Sequence, residues 1–115
     1  MRDPAERLRD ILEAIAAIER YSNCEKKGFE RDELLQAWFV RHLQIIGEAA
    51  RATPEEIRAL APEISWHQIA GMRNVLVHGY FEIDTDLVWD TVTGDVPALK
   101  PAIEHLLATL NSAGE

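Results

Sequence analysis

The sequence predicts an all-α protein: an antiparallel bundle of four main helices, with short helices between them. Three observations lead to this prediction. Apolar residues recur at the spacing of amphipathic helices along most of the chain. Acidic or hydroxyl residues followed by proline or glutamate occur at several points, as they do at helix N-termini. The 115 residues, 47% of them hydrophobic, suffice for one core, so we expect a single domain spanning residues 1–115.

The first helix is predicted to begin at Asp3-Pro4-Ala5-Glu6. This sequence resembles a capping box, with proline at the first helical position and glutamate at the third. We expect the helix to end near residues 21–23, before a polar connection over residues 24–28. One apolar face follows the start at Leu8, Ile11, Leu12, Ile15 and Ile18.

The second main helix is predicted to begin near residues 30–32 and to run to about Ala52. Its apolar stripe is wide, so we expect it to pack against more than one neighbour. The stripe consists of Leu34, Leu35, Trp38, Phe39, Leu43, Ile45, Ile46, Ala49 and Ala50.

Two further capping boxes open the middle of the chain. Thr53-Pro54-Glu55-Glu56 predicts a short helix that ends before Pro62. Ser65-Trp66-His67-Gln68 predicts a helix that continues as far as His78. Gly79 would then be its left-handed C-terminal cap.

The last third of the chain predicts two more helices. Asp84 is the expected cap of the first, with a break at Gly94-Asp95 before the second. Pro101 would remove a backbone hydrogen bond if the last helix began at Val96. That helix therefore either starts later or is kinked, and the sequence leaves both possibilities open.

Charge and cysteine content exclude several classes of function. Twelve basic and twenty acidic residues give a formal net charge of −8, so any contact with nucleic acid must be local or supplied by a partner. Cys24 is the only cysteine and the four histidines lack ligand spacing, so no metal site is expected. We find neither a secretory signal nor a membrane span, and expect a soluble, cytoplasmic protein.

The residues that could carry chemistry lie in one segment, residues 69–80. Arg73, Asn74, His78 and Tyr80 interrupt an otherwise apolar run there. If the helix continued, Asn74 and His78 would share a face and the amide could orient the imidazole. Taken alone, one arginine and one histidine on a partly buried helix are more often structural, with hydrogen bonds to carboxylates or carbonyls. Glu48, a carboxylate in an apolar stretch, could hold Arg73 or a partner helix.

The octet Arg73-Asn74-Val75-Leu76-Val77-His78-Gly79-Tyr80 resembles the Arg-Asn-x-x-x-His-x-Tyr motif of the HepT-like ribonuclease toxins, members of the HEPN superfamily of helical bundles. The resemblance extends over nearly the whole chain and includes four flanking segments. These are Arg7-Leu8-Arg9-Asp10-Ile11-Leu12, Ile45-Ile46-Gly47-Glu48-Ala49-Ala50, Pro62-Glu63-Ile64-Ser65-Trp66 and Val88-Trp89-Asp90.

The resemblance implies a metal-independent endoribonuclease that needs no cofactor and acts as the toxin of a two-gene toxin–antitoxin module. Arg73 and His78 would be the catalytic residues. Asn74 and Tyr80 would be supporting residues of the site, and Glu48 would contact these residues rather than the RNA. The implied partner is a nucleotidyltransferase antitoxin that neutralises the toxin by transferring AMP to Tyr80. A homodimer with both motifs in one cleft is also implied.

The residue types suit this chemistry. Histidine titrates near neutral pH and can act as acid or base, while arginine matches phosphate oxygens with a permanently charged fork. Since one His78 per chain falls short of an acid–base pair, we expect a dimer to bring two copies to one phosphate. Tyr80 could position phosphate, accept AMP or simply close a loop. The competing hypotheses are a non-catalytic module that pairs with a nucleotidyltransferase and presents its substrate, and a scaffold unrelated to RNA.

Overall fold

The computed structural model of the protein describes residues 3–75, 77–78 and 82–113, and only the backbone of residues 73–75, 77–78, 82 and 113. In this part of the chain the fold is all-α, with a minimal ladder of two short strands. In chain order the elements are α1 (Pro4–Glu19), α2 (Lys26–Glu30), α3 (Glu33–Ala52), α4 (Glu55–Arg58), α5 (Trp66–Val75), β1 (Val77–His78), β2 (Glu82–Ile83), α6 (Thr85–Asp90), a π-helical segment (Thr91–Asp95) and α7 (Val96–Ala113).

Aspartate caps fix three of the helix starts. Asp3 accepts a hydrogen bond from the backbone N–H of Ala5 at 2.9 Å, and Asp84 accepts one from Leu87 at 3.0 Å. Both caps confirm the predictions. Asp32 caps α3 in the same way. Each such cap satisfies an N–H that the helix itself leaves without a partner and contributes about 1 kcal/mol.

The predicted cap at Thr53 is wrong. The Thr53 side chain is buried, and its hydroxyl donates to the carbonyl oxygen of Ala49 at 2.9 Å, so it closes α3 rather than opening α4. Pro54 is the residue that precedes α4. Because a residue before proline is confined to extended backbone conformations, Thr53 ends one helix and separates it from the next.

The core is organised around α3. This helix packs against α1 and α5, and α1 also packs against α7. The prediction that the wide stripe of α3 serves more than one neighbour is therefore confirmed. The largest fully buried side chains come from α1, α2, α3, α6 and α7: Leu8, Ile11, Ile15, Ile18, Phe29, Phe39, Leu43, Ile46, Val88, Ile103 and Leu106.

The polar connection predicted over residues 24–28 is wrong, because Lys26–Glu30 forms helix α2. Phe29 is fully buried and anchors this helix. The side-chain amide of Gln36, itself buried, donates to the carbonyl oxygens of Phe29 and Glu30 at 3.0 and 3.1 Å. Gln36 thereby pairs the carbonyl of Glu30 and adds a second donor to that of Phe29, which also accepts from the backbone N–H of Asp32 at 3.2 Å.

No break occurs at Gly94-Asp95. The backbone stays helical from α6 through the π-helical segment into α7, and Pro101 lies inside α7. Pro97 explains the wide turn, since a proline ring clashes with the carbonyl four residues earlier and has no N–H to donate to it. Lys100 joins this long helix to α1 through a hydrogen-bonded ion pair with Glu19 at 3.0 Å.

Within the part of the chain that the structure describes, no helix combines the length and the apolar composition that a membrane span requires.

Candidate active site

Helix α5 positions the first half of the motif. Trp66 begins the helix, is buried, and donates its indole N–H to the carbonyl oxygen of Ala61 at 3.1 Å. Ile69 and Met72 are also buried, and the helix packs against α3. Arg73 and Asn74 follow directly, in the last turn of α5. The start of the motif thus stands on a helix whose apolar face is fixed in the core.

His78 lies on a strand and not on the helix. Helix α5 ends at Val75, and Val77 and His78 form β1, which pairs antiparallel with β2. The predictions that the helix continues to His78, and that Asn74 and His78 share a helical face, are therefore wrong. β-Branched Val77 favours this change, because such residues have low helix propensity and favour strands.

The ladder places Glu82 opposite His78, and Ile83 opposite Val77. Sequence reasoning did not single out Glu82. Only the strand pairing identifies it as a neighbour of the motif, because two-residue strands are too short for a sequence pattern to predict. The predicted cap Gly79 and the predicted modification site Tyr80 lie outside the described residues.

The segment that follows the motif is tied to α2 and α3. Lys26 forms an ion pair with Asp86 at 3.2 Å, and the hydrogen bond and charge of Asp86 raise the pKa of the Lys26 ammonium. The ring of Phe29 lies 5.5 Å from that of Trp89 and 5.6 Å from that of Phe39. Helix α6, which begins two residues after β2, is therefore anchored to the rest of the bundle, and with it one end of the hairpin.

Glu48, predicted to stand behind the catalytic residues, is exposed on α3. It lies in a surface cleft of about 380 Å³ between α1 and α3. The cleft mixes charges of both signs, and its lining residues are Arg7, Asp10, Arg41, Gln44, Ile45, Glu48 and Ala49. Its two arginines match its two carboxylates in number, whereas the chain as a whole has a net charge of −8. The role of Glu48 toward Arg73 stays a prediction.

A second groove, of about 430 Å³, lies between α5 and the long helix formed by α6, the π-helical segment and α7. Its floor is apolar and includes Ile69, Met72 and Leu99, while Glu63 and Asp95 lie at its margin. The groove therefore combines apolar and acidic surface on the helix that carries Arg73.

The other histidines have different surroundings. His42 is half-buried, and its Nδ1 lies 2.8 Å from the carbonyl oxygen of Trp38, whereas His67 and His105 are exposed. Among the described residues, no group of three or more histidine, cysteine, aspartate or glutamate side chains is arranged to hold a metal ion.

The helical bundle thus places Arg73 and Asn74 in the last turn of α5 and His78 on the adjacent strand β1. The family model described as "Ribonuclease HepT-like" matches residues 11–106. The chain belongs to this family, which confirms the resemblance and the assignment to a family of ribonucleases.

Relatives extend over nearly the whole chain. "Probable ribonuclease HepT" from Thermococcus cleftensis is 42% identical over 101 residues, covering 86% of this chain and 91% of the relative. "Putative RNase TTE0752" from Caldanaerobacter subterraneus is 36% identical over 108 residues, covering 93% and 96%. "Putative RNase MJ1380" from Methanocaldococcus jannaschii is 38% identical over 104 residues, covering 90% and 95%. No solved structure gives a significant match.

Proposed function

We propose that this chain is a metal-independent endoribonuclease and the toxin of a toxin–antitoxin module, acting on RNA in the cytoplasm. The observation that carries the proposal is the complete octet from Arg73 to Tyr80, inside a family match that spans the motif on both sides. Within the octet, Arg73 and Asn74 lie at the end of α5 and His78 lies on β1.

The reaction is written with the RNA 2′-hydroxyl as the nucleophile. Its oxygen attacks the adjacent phosphorus, the bond to the 5′-oxygen of the next nucleotide breaks, and a 2′,3′-cyclic phosphate forms. One histidine accepts the proton of the 2′-hydroxyl, and a second donates a proton to the leaving oxygen. Arg73 stabilises the negative charge that develops on the phosphate oxygens. Asn74 supports this arrangement.

Two histidines at one phosphate require two chains, so the proposal includes a homodimer in which both copies of His78 face a shared cleft. A two-fold axis through the cleft would bring the same histidine from both chains to one phosphate, which provides an acid and a base from one motif per chain. Glu48 is proposed to orient Arg73 from α3.

The first test is RNA cleavage by the purified protein in the presence of EDTA. Cleavage should continue at an unchanged rate, because the proposed mechanism requires only side chains, and the products should carry 2′,3′-cyclic phosphate ends. Gel analysis of end-labelled RNA, with phosphatase and acid treatment of the ends, distinguishes the products. Activity that disappears with EDTA and returns with a divalent cation would contradict the proposal.

The proposed regulator is a nucleotidyltransferase antitoxin that modifies Tyr80. The phenol oxygen attacks the α-phosphorus of ATP, pyrophosphate leaves, and the phenol proton passes to a base of the antitoxin. A bulky anion is then fixed two residues from His78, where it competes with RNA phosphate for Arg73. The acidic surface around the groove at α5 would favour rapid association with a basic face of the antitoxin.

Replacing Tyr80 with phenylalanine should abolish AMP transfer, because the phenol oxygen is the only atom removed. Mass spectrometry after incubation with the antitoxin and ATP measures the modification, and Tyr21→Phe is the matched control at an exposed tyrosine. If Tyr80→Phe acquires as much AMP as the wild type, Tyr80 is not the acceptor.

A further inference from the structure

Four side chains form a compact group where the end of α1 meets α3, which we call the Tyr21 cluster: Arg20, Tyr21, Trp38 and His42. The guanidinium carbon of Arg20 lies 5.9 Å from the centre of the Trp38 ring. The Tyr21 ring is perpendicular to the Trp38 ring, with the two ring centroids 5.5 Å apart. The centroid of the His42 ring lies 4.3 Å from that of the Trp38 ring. Neither the fold nor the motif chemistry described above uses this group.

Hydrogen bonds to backbone carbonyls hold Trp38 and His42 in place. The indole N–H of Trp38 donates to the carbonyl oxygen of Ala17 at 2.8 Å, and Nδ1 of His42 lies 2.8 Å from the carbonyl oxygen of Trp38. Tyr21, in contrast, is 48% exposed. An aromatic ring at the surface, supported by fixed neighbours, loses little conformational freedom when a flat ligand stacks on it.

The charge of the cluster is positive in a chain whose net charge is −8. The neighbouring carboxylate, Glu19, is engaged by Lys100 at 3.0 and 3.1 Å. Among the described residues, Arg20 has no carboxylate partner. Arg41 lies about one helical turn after Trp38 on α3, and it lines the cleft that also contains Arg7. A cation beside an exposed aromatic ring is the combination that binds single-stranded nucleic acid.

We propose that the Tyr21 cluster is a binding subsite for single-stranded RNA, in which Tyr21 stacks on a base and Arg20 contacts a phosphate. The inference rests on the proposed ribonuclease function and names how its substrate is held. Phe39, next to Trp38, stacks on Phe29, which also contacts Trp89. The subsite therefore lies along the part of α3 to which α2 and α6, the helix after the motif hairpin, are attached.

The test is binding of a 2′-O-methyl RNA of about twelve nucleotides, which spans a single-strand site and lacks the nucleophile for cleavage. Tyr21→Ala should weaken its binding about tenfold, because one base loses its stacking partner. Tyr21→Phe should bind as the wild type does, since the ring remains. Leu60→Ala, at another exposed apolar residue, is the matched control. Fluorescence anisotropy of the labelled RNA gives the Kd.

An abasic oligonucleotide of the same length separates stacking from charge. Tyr21→Ala should leave its Kd unchanged, and Arg20→Gln should weaken binding of both oligonucleotides. Equal affinities of wild type and Tyr21→Ala for the base-bearing RNA would overturn the inference. So would a Tyr21→Ala protein that changes from dimer to monomer in sedimentation, because the cluster would then bind a second copy of the chain.

Failure of the subsite and failure of the proposed function give different results. A wild-type protein that cleaves RNA, with a Tyr21→Ala variant of unchanged Kd, overturns the subsite alone. A wild-type protein that binds the base-bearing RNA through Tyr21 and cleaves no RNA supports the subsite and contradicts the ribonuclease.

Discussion

Replacing His78 with alanine is expected to lower the rate of RNA cleavage by about 10²- to 10⁴-fold, the usual contribution of a general acid or base. Arg73→Ala is expected to lower it about 10²- to 10³-fold, since the developing charge on the phosphate loses its partner. Expression of the wild-type chain alone should arrest growth, and neither variant should do so. Growth curves and cleavage of end-labelled RNA measure the two effects.

The chain offers matched controls for both residues. His67→Ala removes an exposed histidine from α5, the helix that carries Arg73, and Arg51→Ala removes an exposed arginine from α3. Both should behave as the wild type does. Circular dichroism and immunoblotting show whether all variants are folded and equally abundant. If wild type, Arg73→Ala and His78→Ala all permit normal growth, the chain is the non-catalytic partner of a nucleotidyltransferase instead.

The same variant tests the shared cleft. When wild-type and His78→Ala chains are coexpressed with different tags, the mixed dimer can be purified by two affinity steps. It retains only one of the two histidines at its cleft, so we expect most of the activity to be lost. A mixed dimer that cleaves RNA at the full wild-type rate would contradict the two-histidine mechanism.

The sequence predicts those features of the fold that depend on local chemistry. Asp3 and Asp84 are predictable as caps because an acidic residue before a helix satisfies N–H groups within three residues of itself. The wide stripe of α3 predicts more than one packing partner, and the structure shows α1 and α5 among them. In each case the prediction needs only the spacing of residues along one helix.

Features that depend on distant partners could not be predicted in this way. Lys26–Glu30 is too short for periodicity to reveal it, and is stabilised by Phe29 in the core and by Gln36 from the next helix. His78 leaves the helix because its strand pairs with Glu82, a contact that no helical spacing indicates. The sequence shows the motif as a row of polar residues, whereas it does not show that α5 ends at Val75 and that His78 lies on a strand.

Replacing Phe29 is expected to have a large effect on the stability of the fold. Its ring is fully buried between Phe39 on α3 and Trp89 on α6, so that one side chain joins three helices. Phe29→Ala should lower the free energy of unfolding by about 3–5 kcal/mol, because it removes the buried ring and leaves a cavity. Urea denaturation followed by circular dichroism measures the loss.

Phe29→Leu keeps most of the buried volume and should cost clearly less, which gives a graded result even if the alanine variant does not fold. Leu60→Ala, at a side chain 55% exposed, should change stability by less than about 0.5 kcal/mol. The effect should also reach the motif. Because α6 follows the hairpin that contains His78, a Phe29→Leu protein that is still folded should cleave RNA more slowly than the wild type. A loss of stability in Phe29→Ala no larger than that of Leu60→Ala would show that α2 does not hold α6 in place, and the proposed link between this aromatic contact and the active site would fail with it.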